Sequence, residues 1–486
     1  MHDHPLSRRI AAVLDLDPDG RAIEYQGRWF SRGQLGAPSR GIADALGPGA
    51  QVGILLRNTP AHVAALLGVL LAGGCVVVVN PSRGDDRIKN DIPALDLPAI
   101  VGTAEDLEQL VVQSPALRVT IADINTAPVV RGEPPNSAVP TDVAVRMLTS
   151  GTTGPPKRID LTYDMLAVWV LGADFANSPA PKAVSAAVAI VTAPLVHIGG
   201  VYRALQCVTE ARPFVLLPRF ELAAWAAAVR RYRPKAVSLV PAALRAVLHS
   251  DLDAEDLAGI RAVTSGTAPL SADDADAFTE KFGIPVLTSY AATEFGGGVA
   301  GWTLADHQKY WQSKRGSVGR ASLGAQLRVV AEDGATLGPD QIGLLEVKPG
   351  QLGPDAEWVR TTDLARVDAD GFLWILGRAD QAIIRGGFKV LPDDVRAALE
   401  SHPAVLGAAV VGRPDARLGE VPVAMVELRE ATAVTELTIF LRDRLVPYEI
   451  PAEIAFVDAI PRTPSGKADL AAVRAHFSEP VSGRAH

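Results

Sequence analysis

The sequence predicts an α/β protein with a large N-terminal domain of layered sheets and helices and a small, mobile α+β domain at the C-terminus. A chain of 486 residues is too long for one hydrophobic core. Apolar, strand-like runs alternate with alanine- and leucine-rich helical stretches, a pattern typical of buried strands in α/β layers. After about residue 380, the chain has a strand and helix pattern of its own, with enough apolar alternation for a separate core.

The individual elements follow from short apolar runs and their breaks. The uncharged run 61–80 is split by Gly73 and Gly74 into a helical half and a strand half, which favours a buried βα layer over a membrane span. We interpret the proline-rich stretch 125–142 as a connector. The predicted strands are 51–56, 75–79, 143–148, 183–191, 236–240, 285–287, 404–411 and 421–428, and the predicted helices are 61–71, 222–230, 395–399 and 437–445.

The predicted domain boundary lies at the Gly-Arg-Ala-Asp sequence 377–380. We therefore expect an N-terminal domain over 1–376, a short connection at 377–381 and a C-terminal domain over 382–486. The sequence leaves the oligomeric state open.

Composition excludes several classes of protein. A net charge of −8 argues against a general nucleic-acid binder, whose surface would be basic. The two cysteines, Cys75 and Cys207, lie in apolar segments, which predicts buried, reduced thiols. The N-terminus lacks the order of a signal peptide and the C-terminus lacks a peroxisomal tripeptide, so we expect a cytoplasmic protein.

The turn at 149–157 predicts a polyphosphate site, because backbone N–H groups, hydroxyls and one ammonium group converge there after a strand. It is not a P-loop, since two prolines separate Gly154 from Lys157. A polar surface loop is the alternative, and the order of these residue types disfavours it. The candidate ATP-binding residues of the turn are Thr149, Ser150, Gly151, Thr152, Thr153, Gly154 and Lys157.

This turn resembles the phosphate loop of the adenylate-forming superfamily, which includes acyl-CoA synthetases, aryl-CoA ligases, luciferases and peptide-synthetase adenylation domains. Further segments match in the same order, and the matching region runs from about residue 50 to residue 470. The resemblance implies ATP, Mg²⁺ and coenzyme A as cofactors. It implies a small-molecule carboxylic acid as substrate, with no nucleic-acid partner and no membrane span.

Two of these segments resemble the walls of the acyl and adenine pockets. The resemblance to 194–200 places His197 beside the acyl carboxylate and makes Gly199 and Gly200 part of the acyl pocket, although a lone histidine is more often structural. The segment 265–270 resembles the family's adenine-binding turn, and ordinary turns also use such small residues. It contributes Thr267 and Ala268 to the nucleotide site and Gly266 to the acyl pocket.

The segment 289–294 places hydroxyls and one acid at the end of a predicted buried strand. Glu294 is the predicted Mg²⁺ ligand, with Thr152 as a second, because Mg²⁺ takes few carboxylates beside phosphate oxygens and waters. The alternative is a strand end with a solvated acid. The resemblance implies that Ser289, Tyr290, Ala291 and Thr293 bind the nucleotide and that Ala292 lines the acyl pocket. Ala291 stands where the family has glycine.

Glycines at 296–298 follow directly, and we expect Gly296 and Gly297 to leave space for the acyl group. This predicts an aromatic, alicyclic or medium- to long-chain acid in preference to acetate. A mobile loop or a tight backbone turn is the alternative reason for these glycines.

The remaining segments complete the resemblance. Asp363 matches the family's ribose-binding acid, with Thr362 in place of a glycine, and a carboxylate suits a vicinal diol. Arg378 matches a ribose-contacting arginine and Asp380 the hinge residue. The resemblance thus implies an N-terminal ATP- and acyl-binding domain over 1–376, a hinge at 377–381 and a lid domain over 382–486 that carries the catalytic lysine. Lys467 matches the lysine that reaches the acyl carboxylate and the α-phosphate, although the basic residue usual shortly after it is absent. The predicted coenzyme A segment is Gly386, Gly387, Phe388 and Lys389, for which a tight turn is the alternative.

The predicted function is ATP-dependent formation of an acyl-adenylate, with catalytic roles for Lys467, Glu294, His197 and Asp380, followed by transfer of the acyl group to coenzyme A. Segment 194–201 has no acid to pair with a substrate ammonium, which disfavours amino-acid activation. Three alternatives remain: loading of a separate carrier protein, a non-catalytic binding protein, and a phosphotransferase that forms ADP.

Overall fold

The computed structural model describes residues 2–82, 84–112, 114, 116–132, 142–148, 158–322, 324–353, 356–463 and 466–478. The described residues form two compact units. The first unit comprises those of Met1–Ser238, Leu252–Arg261 and Ala292–Gly297, and the second comprises those of Leu239–Asp251, Ala262–Ala291 and Gly298–His486.

The first unit alternates helices with short strands. Its helices are α1 (Pro5–Leu16), α2 (Arg32–Leu46), α3 (Pro60–Leu71), α4 (Asp85–Ala94), α5 (Ala104–Leu110), α6 (Tyr163–Leu171), α7 (Ile198–Thr209) and α8 (Leu222–Tyr232). Its strands are β1 (Arg21–Tyr25), β2 (Arg28–Ser31), β3 (Gln51–Leu55), β4 (Cys75–Val79), β5 (Ala99–Gly102), β6 (Leu117–Thr120), β7 (Val129–Arg131), β8 (Val143–Leu148), β9 (Arg158–Thr162), β10 (Ala189–Val191), β11 (Phe214–Leu216) and β12 (Ala236–Ser238).

A seven-stranded sheet in the order β7-β6-β5-β3-β4-β8-β9 forms the centre of the first unit. Its inner strands are parallel, and β7 and β9 are antiparallel edges. Every residue of α3 and of β4 is buried, as their unbroken apolar sequences predict. Gly73 makes the turn between them with φ +70°, and a Cβ on Gly74 would lie 2.5 Å from the carbonyl oxygen of Ala50.

The structure shortens some of the predicted strands. Residues 183–188 are irregular, and β10 covers only Ala189–Val191. Its partner β11 is equally short and follows Pro213, which has no N–H for a ladder. The predicted strand 236–240 likewise ends at Ser238. The predicted connector contains the edge strand β7, whose residues are all exposed.

The second unit combines mostly antiparallel strand pairs with shorter helices. Its helices are α9 (Pro241–Leu248), α10 (Ala272–Phe282), α11 (Leu304–Tyr310), α12 (Pro392–Glu400), α13 (Val434–Arg442) and α14 (Leu470–Ser478). Its strands are β13 (Ala262–Ser265), β14 (Val286–Ala292), β15 (Gly297–Gly301), β16 (Arg320–Ala321), β17 (Gln326–Val330), β18 (Gly343–Lys348), β19 (Val359–Val367), β20 (Leu373–Arg378), β21 (Ile383–Arg385), β22 (Phe388–Val390), β23 (Val405–Asp415), β24 (Gly419–Leu428) and β25 (Glu453–Val457).

Strand β23 shows why the C-terminal region has a core of its own. Ala408 and Val410 face one hydrophobic cluster, which includes residues of α12 and α13, whereas Ala409 and Val411 face another with α14 residues. Successive side chains of a strand point to opposite faces, so this apolar run is covered on both sides. The predicted helix 437–445 lies one turn earlier, at Val434–Arg442, with Ala433 as its N-cap residue and Asp443 as its C-cap residue.

Both cysteines are buried free thiols, as predicted, and burial raises their pKa to about 12. Within the described part of the chain, no helix combines the length and apolar character needed to cross a bilayer. The predicted hinge at 377–381 stays a prediction, since the two compact units do not divide the chain there.

Candidate active site

The predicted phosphate turn lies outside the described residues, so Thr149, Ser150, Gly151, Thr152, Thr153, Gly154 and Lys157 have no structural description here. The elements on either side are defined. Strands β8 and β9 pair in antiparallel register, and Arg146 holds Asp160 by two hydrogen bonds of 2.6 and 2.7 Å. Helix α6 then begins after Thr162, whose hydroxyl accepts a hydrogen bond from the N–H of Met165.

In the first unit, His197 is the N-cap residue of α7. Its carbonyl oxygen accepts hydrogen bonds from the N–H groups of Gly200 and Val201, at 2.9 and 3.2 Å. A Cβ on Gly200 would lie 2.1 Å from the carbonyl oxygen of Pro194. The turn therefore requires a glycine at position 200, and the place of Gly200 in the acyl pocket stays a prediction. A Cβ on Gly199, by contrast, meets no described atom within 4 Å.

Asn58 orients the turn that leads into His197, and sequence reasoning missed it. Its side-chain oxygen accepts a hydrogen bond of 2.7 Å from the N–H of Leu195, and its amide donates to the carbonyl oxygens of Ala193 and Leu217, each at 3.2 Å. A buried asparagine between two apolar segments was the available signal, because a buried amide needs such partners.

Glu294 lies in the one-turn 3₁₀ helix Thr293–Phe295 and is exposed, while Phe295 is buried. Gly296 and Gly297 follow with φ +70° and +133°, conformations that side chains rarely adopt. A Cβ on Gly297 would also lie 2.6 Å from the indole Nε1 of Trp169. A tight backbone turn therefore accounts for Gly296 and Gly297, and Trp169 takes the space that we expected beside Gly297.

In the second unit, three predicted nucleotide-binding residues lie together. The Tyr290 hydroxyl donates a hydrogen bond to Asp363, and Asp363 pairs in register with Arg378 across β19 and β20. Burial raises the pKa of Asp363 and also that of Tyr290. Ser289, Tyr290, Ala291 and Ala292 belong to β14 itself, which continues beyond the predicted strand end at Leu287.

Arg378 also contacts the predicted hinge residue. Its guanidinium donates two hydrogen bonds, of 2.9 and 2.6 Å, to the carboxylate of Asp380, and this interaction lowers the pKa of Asp380. In this conformation the predicted hinge acid and the predicted ribose-binding arginine are thus joined directly.

The turn after β13 is strained. Thr267 has φ +72°, a conformation that costs about 1–3 kcal/mol for a residue with a branched Cβ. Strained residues of this kind are concentrated at functional sites. Gly266 fits against β14, since a Cβ there would lie 2.7 Å from the Ser289 hydroxyl. Ala268 follows in the same turn. The strained residue, Thr267, is one of those that the family resemblance assigns to the nucleotide site.

The predicted coenzyme A segment is a β-hairpin. Gly386 and Gly387 have φ +59° and +88° and join β21 to β22, as a two-residue hairpin turn requires. A tight turn thus accounts for both glycines. Phe388 and Lys389 are exposed on β22, and the Phe388 ring stacks on Tyr448 with 4.6 Å between ring centroids.

Lys467 is exposed on a short loop whose residues Pro464 and Ser465 lie outside the described part of the chain. The N–H of Thr463 donates to the carbonyl oxygen of Lys467 at 2.8 Å, and Gly466 has φ +80°. The basic residue absent after Lys467 is replaced by another anchor. The Asp469 carboxylate accepts hydrogen bonds from the N–H groups of Ala471 and Ala472 and so caps α14.

Family models match most of this chain. The model described as "AMP-binding enzyme" matches residues 11–353, and the model described as "AMP-binding enzyme C-terminal domain" matches residues 394–467. The chain belongs to the AMP-binding enzyme family. This result confirms the resemblance to the adenylate-forming superfamily.

Other AMP-binding enzymes resemble the chain over nearly its whole length. A 4-coumarate–CoA ligase from Oryza sativa subsp. japonica is 30% identical, over 95% of this chain and 84% of the relative. A sulfoacetate–CoA ligase from Cupriavidus necator is 31% identical, over 93% and 92%. The structure of o-succinylbenzoate CoA synthetase from Bacillus subtilis with its acyl-adenylate intermediate aligns with a TM-score of 0.78 at 25% identity, over 100% of this chain and 99% of that chain. These matches confirm the fold class and the acid–thiol ligase type.

Proposed function

We propose that this AMP-binding enzyme activates a carboxylic acid with ATP and transfers the acyl group to coenzyme A. The observation that carries the proposal is the Tyr290, Asp363 and Arg378 cluster, which lies at the positions that the family resemblance assigns to the nucleotide. The buried Asp363 carboxylate is an acceptor that suits a ribose diol.

In the first step, the substrate carboxylate attacks the α-phosphorus of ATP, the bond to the β-phosphate oxygen breaks, and pyrophosphate leaves. Lys467 is proposed to neutralise the negative charge that accumulates in this transition state. The turn 149–157 is proposed to hold the leaving pyrophosphate. Mg²⁺, when bound, would offset phosphate charge, with Glu294 as its protein ligand and Thr152 as a second.

The exposed position of Glu294 fits this role, because Mg²⁺ keeps several waters and phosphate oxygens. No group of three or more acidic, histidine or cysteine side chains suited to a metal occurs among the described residues. We propose that the protein contributes the Glu294 carboxylate, two residues beyond the end of β14, and the Thr152 hydroxyl.

In the second step, a coenzyme A thiolate attacks the acyl carbonyl, the bond to the AMP oxygen breaks, and AMP leaves. We propose that the chain rotates at Asp380 between the steps, which withdraws Lys467. The hairpin of Gly386, Gly387, Phe388 and Lys389 is proposed to contact coenzyme A, and its exposed aromatic ring and ammonium group support this assignment.

The proposed substrate is an apolar acid, either aromatic, alicyclic or of medium to long chain. The 4-coumarate–CoA ligase and the feruloyl-CoA synthase among the relatives support an aromatic acid as substrate. The sulfoacetate–CoA ligase is a relative named for a small, charged acid. A Cβ on Gly199 would meet no described atom within 4 Å, which supports space for the acyl group near His197. The buried thiols Cys75 and Cys207 support the proposed cytoplasmic location.

A screen of ATP–pyrophosphate exchange over acetate, octanoate, benzoate, 4-coumarate and a fused-ring carboxylate tests the first step. Product analysis then separates the alternatives: AMP with an acyl-CoA supports the proposal, whereas ADP indicates a phosphotransferase. AMP formation that needs a carrier protein in place of coenzyme A indicates a loading enzyme. Absence of exchange with every acid, while nucleotide still binds, indicates a non-catalytic protein.

A further inference from the structure

Helix α7, which begins in the predicted acyl segment, shares an aromatic pair with α6 that the sequence motifs do not include. The rings of Trp169 on α6 and Tyr202 on α7 stack with 4.7 Å between centroids and 19° between planes. Tyr202 is 3% exposed, and its hydroxyl donates a hydrogen bond of 2.7 Å to the carbonyl oxygen of Gly296. The tyrosine is therefore fixed at both its ring face and its hydroxyl.

Trp169 is held on a second side by the glycine turn. The indole Nε1 is the atom that a Cβ on Gly297 would meet at 2.6 Å, so the absence of a side chain at this position admits the indole. Nε1 is buried and has no hydrogen-bond partner among the described residues. Buried indole N–H groups usually find an acceptor, so hydrogen bonding does not explain why a tryptophan stands here.

The helix geometry relates this pair to the proposed acyl pocket. Gly199 and Tyr202 are three residues apart on α7 and so lie on the same face of the helix, one turn apart. A Cβ on Gly199 meets no described atom within 4 Å, whereas Tyr202 is covered by the indole. The open side of the first turn of α7 is thus followed, one turn later, by an aromatic wall.

We propose that Trp169 is a specificity-determining residue, whose indole, held between Tyr202 and Gly297, limits the depth of the acyl pocket and favours a planar aryl carboxylic acid over a long acyl chain. A fixed indole stops an extended chain, while its partly exposed aromatic surface offers offset or edge contacts to an aryl ring. This inference rests on the proposed acid-activating function and narrows its substrate class.

The test compares wild-type protein with Trp169→Ala and Trp169→Phe. The specificity constants for 4-coumarate and dodecanoate are measured by ATP–pyrophosphate exchange. We expect Trp169→Ala to raise the dodecanoate-to-coumarate ratio by about tenfold or more, and Trp169→Phe to change it by about threefold or less, because Phe retains an aromatic wall. Trp169→Leu serves in addition if the alanine variant fails to fold.

The matched control is Trp29→Ala. Trp29 forms an edge-on aromatic pair with Tyr232 in the same unit, with 5.9 Å between ring centroids, outside the predicted acyl segments. It reports what the loss of one aromatic pair does to folding and general activity. An unchanged acid ratio in Trp169→Ala with exchange retained, or an equal shift in Trp29→Ala, overturns the proposal.

Calorimetric titration of each protein with the two acids, without nucleotide, separates this proposal from the proposed function. If wild type shows no exchange but Trp169→Ala shifts binding toward dodecanoate, Trp169 is the wall of an acid site and the enzymatic proposal fails. If exchange proceeds but neither measurement shifts, the enzymatic proposal stands and the role of Trp169 fails. If no acid binds or exchanges, both fail.

Discussion

Two regions, one in each compact unit, are stabilised in different ways. In the first, α3 and β4 are entirely buried and even a histidine, His62, lies 1% exposed in the core. In the second, charged side chains connect elements that are distant in sequence. Arg245 on α9 donates to Asp274 on α10 at 2.7 Å and to Glu400 on α12 at 2.8 Å.

This difference suits the roles that we propose for the two units. Close apolar packing permits one arrangement, which favours an acyl pocket of fixed shape. Ion pairs are directional and reversible, and the pair between Arg245 and Glu400 joins segments on opposite sides of the predicted hinge. We expect a rotation at the predicted hinge residue, Asp380, to separate this pair.

The largest expected effect comes from Lys467, the predicted catalytic lysine in the second unit. Lys467→Ala should reduce adenylation by about a thousandfold, because only that transition state needs the added cation. Thioester formation from a supplied acyl-adenylate should be retained. Single-turnover assays of each half-reaction check this, and equal losses in both would contradict the role.

A change at the hinge asks whether the second unit must rearrange. Proline fixes φ near −65°, so Asp380→Pro should trap one orientation. We expect adenylation to survive and thioester formation to fall by about a hundredfold, an effect typical of a misplaced reacting group. Asp370→Asn, an exposed acid paired with Lys314, is the control. Two unimpaired half-reactions would show that Asp380 is not the hinge.

Stability measurements sharpen the contrast between packing and ion pairs. Leu66→Ala in α3 should lower the free energy of unfolding by about 2–5 kcal/mol through a buried cavity. Glu400→Gln should lower it by about 2–3 kcal/mol, because the buried carboxylate serves both Arg245 and Arg396.

Urea unfolding measures the free energy of unfolding of both variants. The control is Glu221→Gln, which removes an exposed ion pair with Arg219 and should change that free energy little. If Glu400→Gln were as mild as Glu221→Gln, the ion pairs would not stabilise the second unit. Of these variants, we expect only Glu400→Gln to change the ratio of the rates of the two half-reactions, because it weakens the contact between segments on either side of the predicted hinge.

Acid should weaken the first unit through His62. Burial lowers the pKa of this imidazole to about 4, below its ordinary value of 6.5. The unfolded chain then binds more protons between pH 6.5 and 4, so stability falls as the pH falls through this range, by up to about 3 kcal/mol. His62→Leu should remove this part of the slope. Hydrogen exchange at α3 amides measures it.

The smallest expected effect has the opposite sign and lies in the second unit. Partial burial, and then the carboxylates of Glu449 and Asp393, raise the pKa of Asp394 to about 6. The folded protein therefore holds this proton more tightly, and its stabilising effect is lost as the pH rises from about 4 to 6. Solvent contact keeps the effect small. Asp394→Asn should flatten the slope at α12 amides, and an unchanged slope would contradict the assignment.

Sequence alone determined the fold class, the family and the positions of the motifs, because each rests on local signals. Apolar runs marked β4, α3 and β24 nearly to the residue, and the lysine motif did not depend on packing. Strand 183–191 was too long in our prediction, since the length of a strand depends on its partner, β11. A local sequence pattern does not show how many residues of a partner strand are available for pairing.

Only the tertiary structure decided what the glycines do. Gly199 and Gly200 are neighbours with the same sequence signal, yet a Cβ on Gly199 meets no described atom within 4 Å and one on Gly200 would lie against the Pro194 carbonyl. The space expected at Gly297 is occupied by Trp169, about 130 residues away in the chain. Pocket shape depends on contacts between distant residues, whereas motif chemistry depends on neighbours, so the sequence determined the reaction type and packing determined the walls.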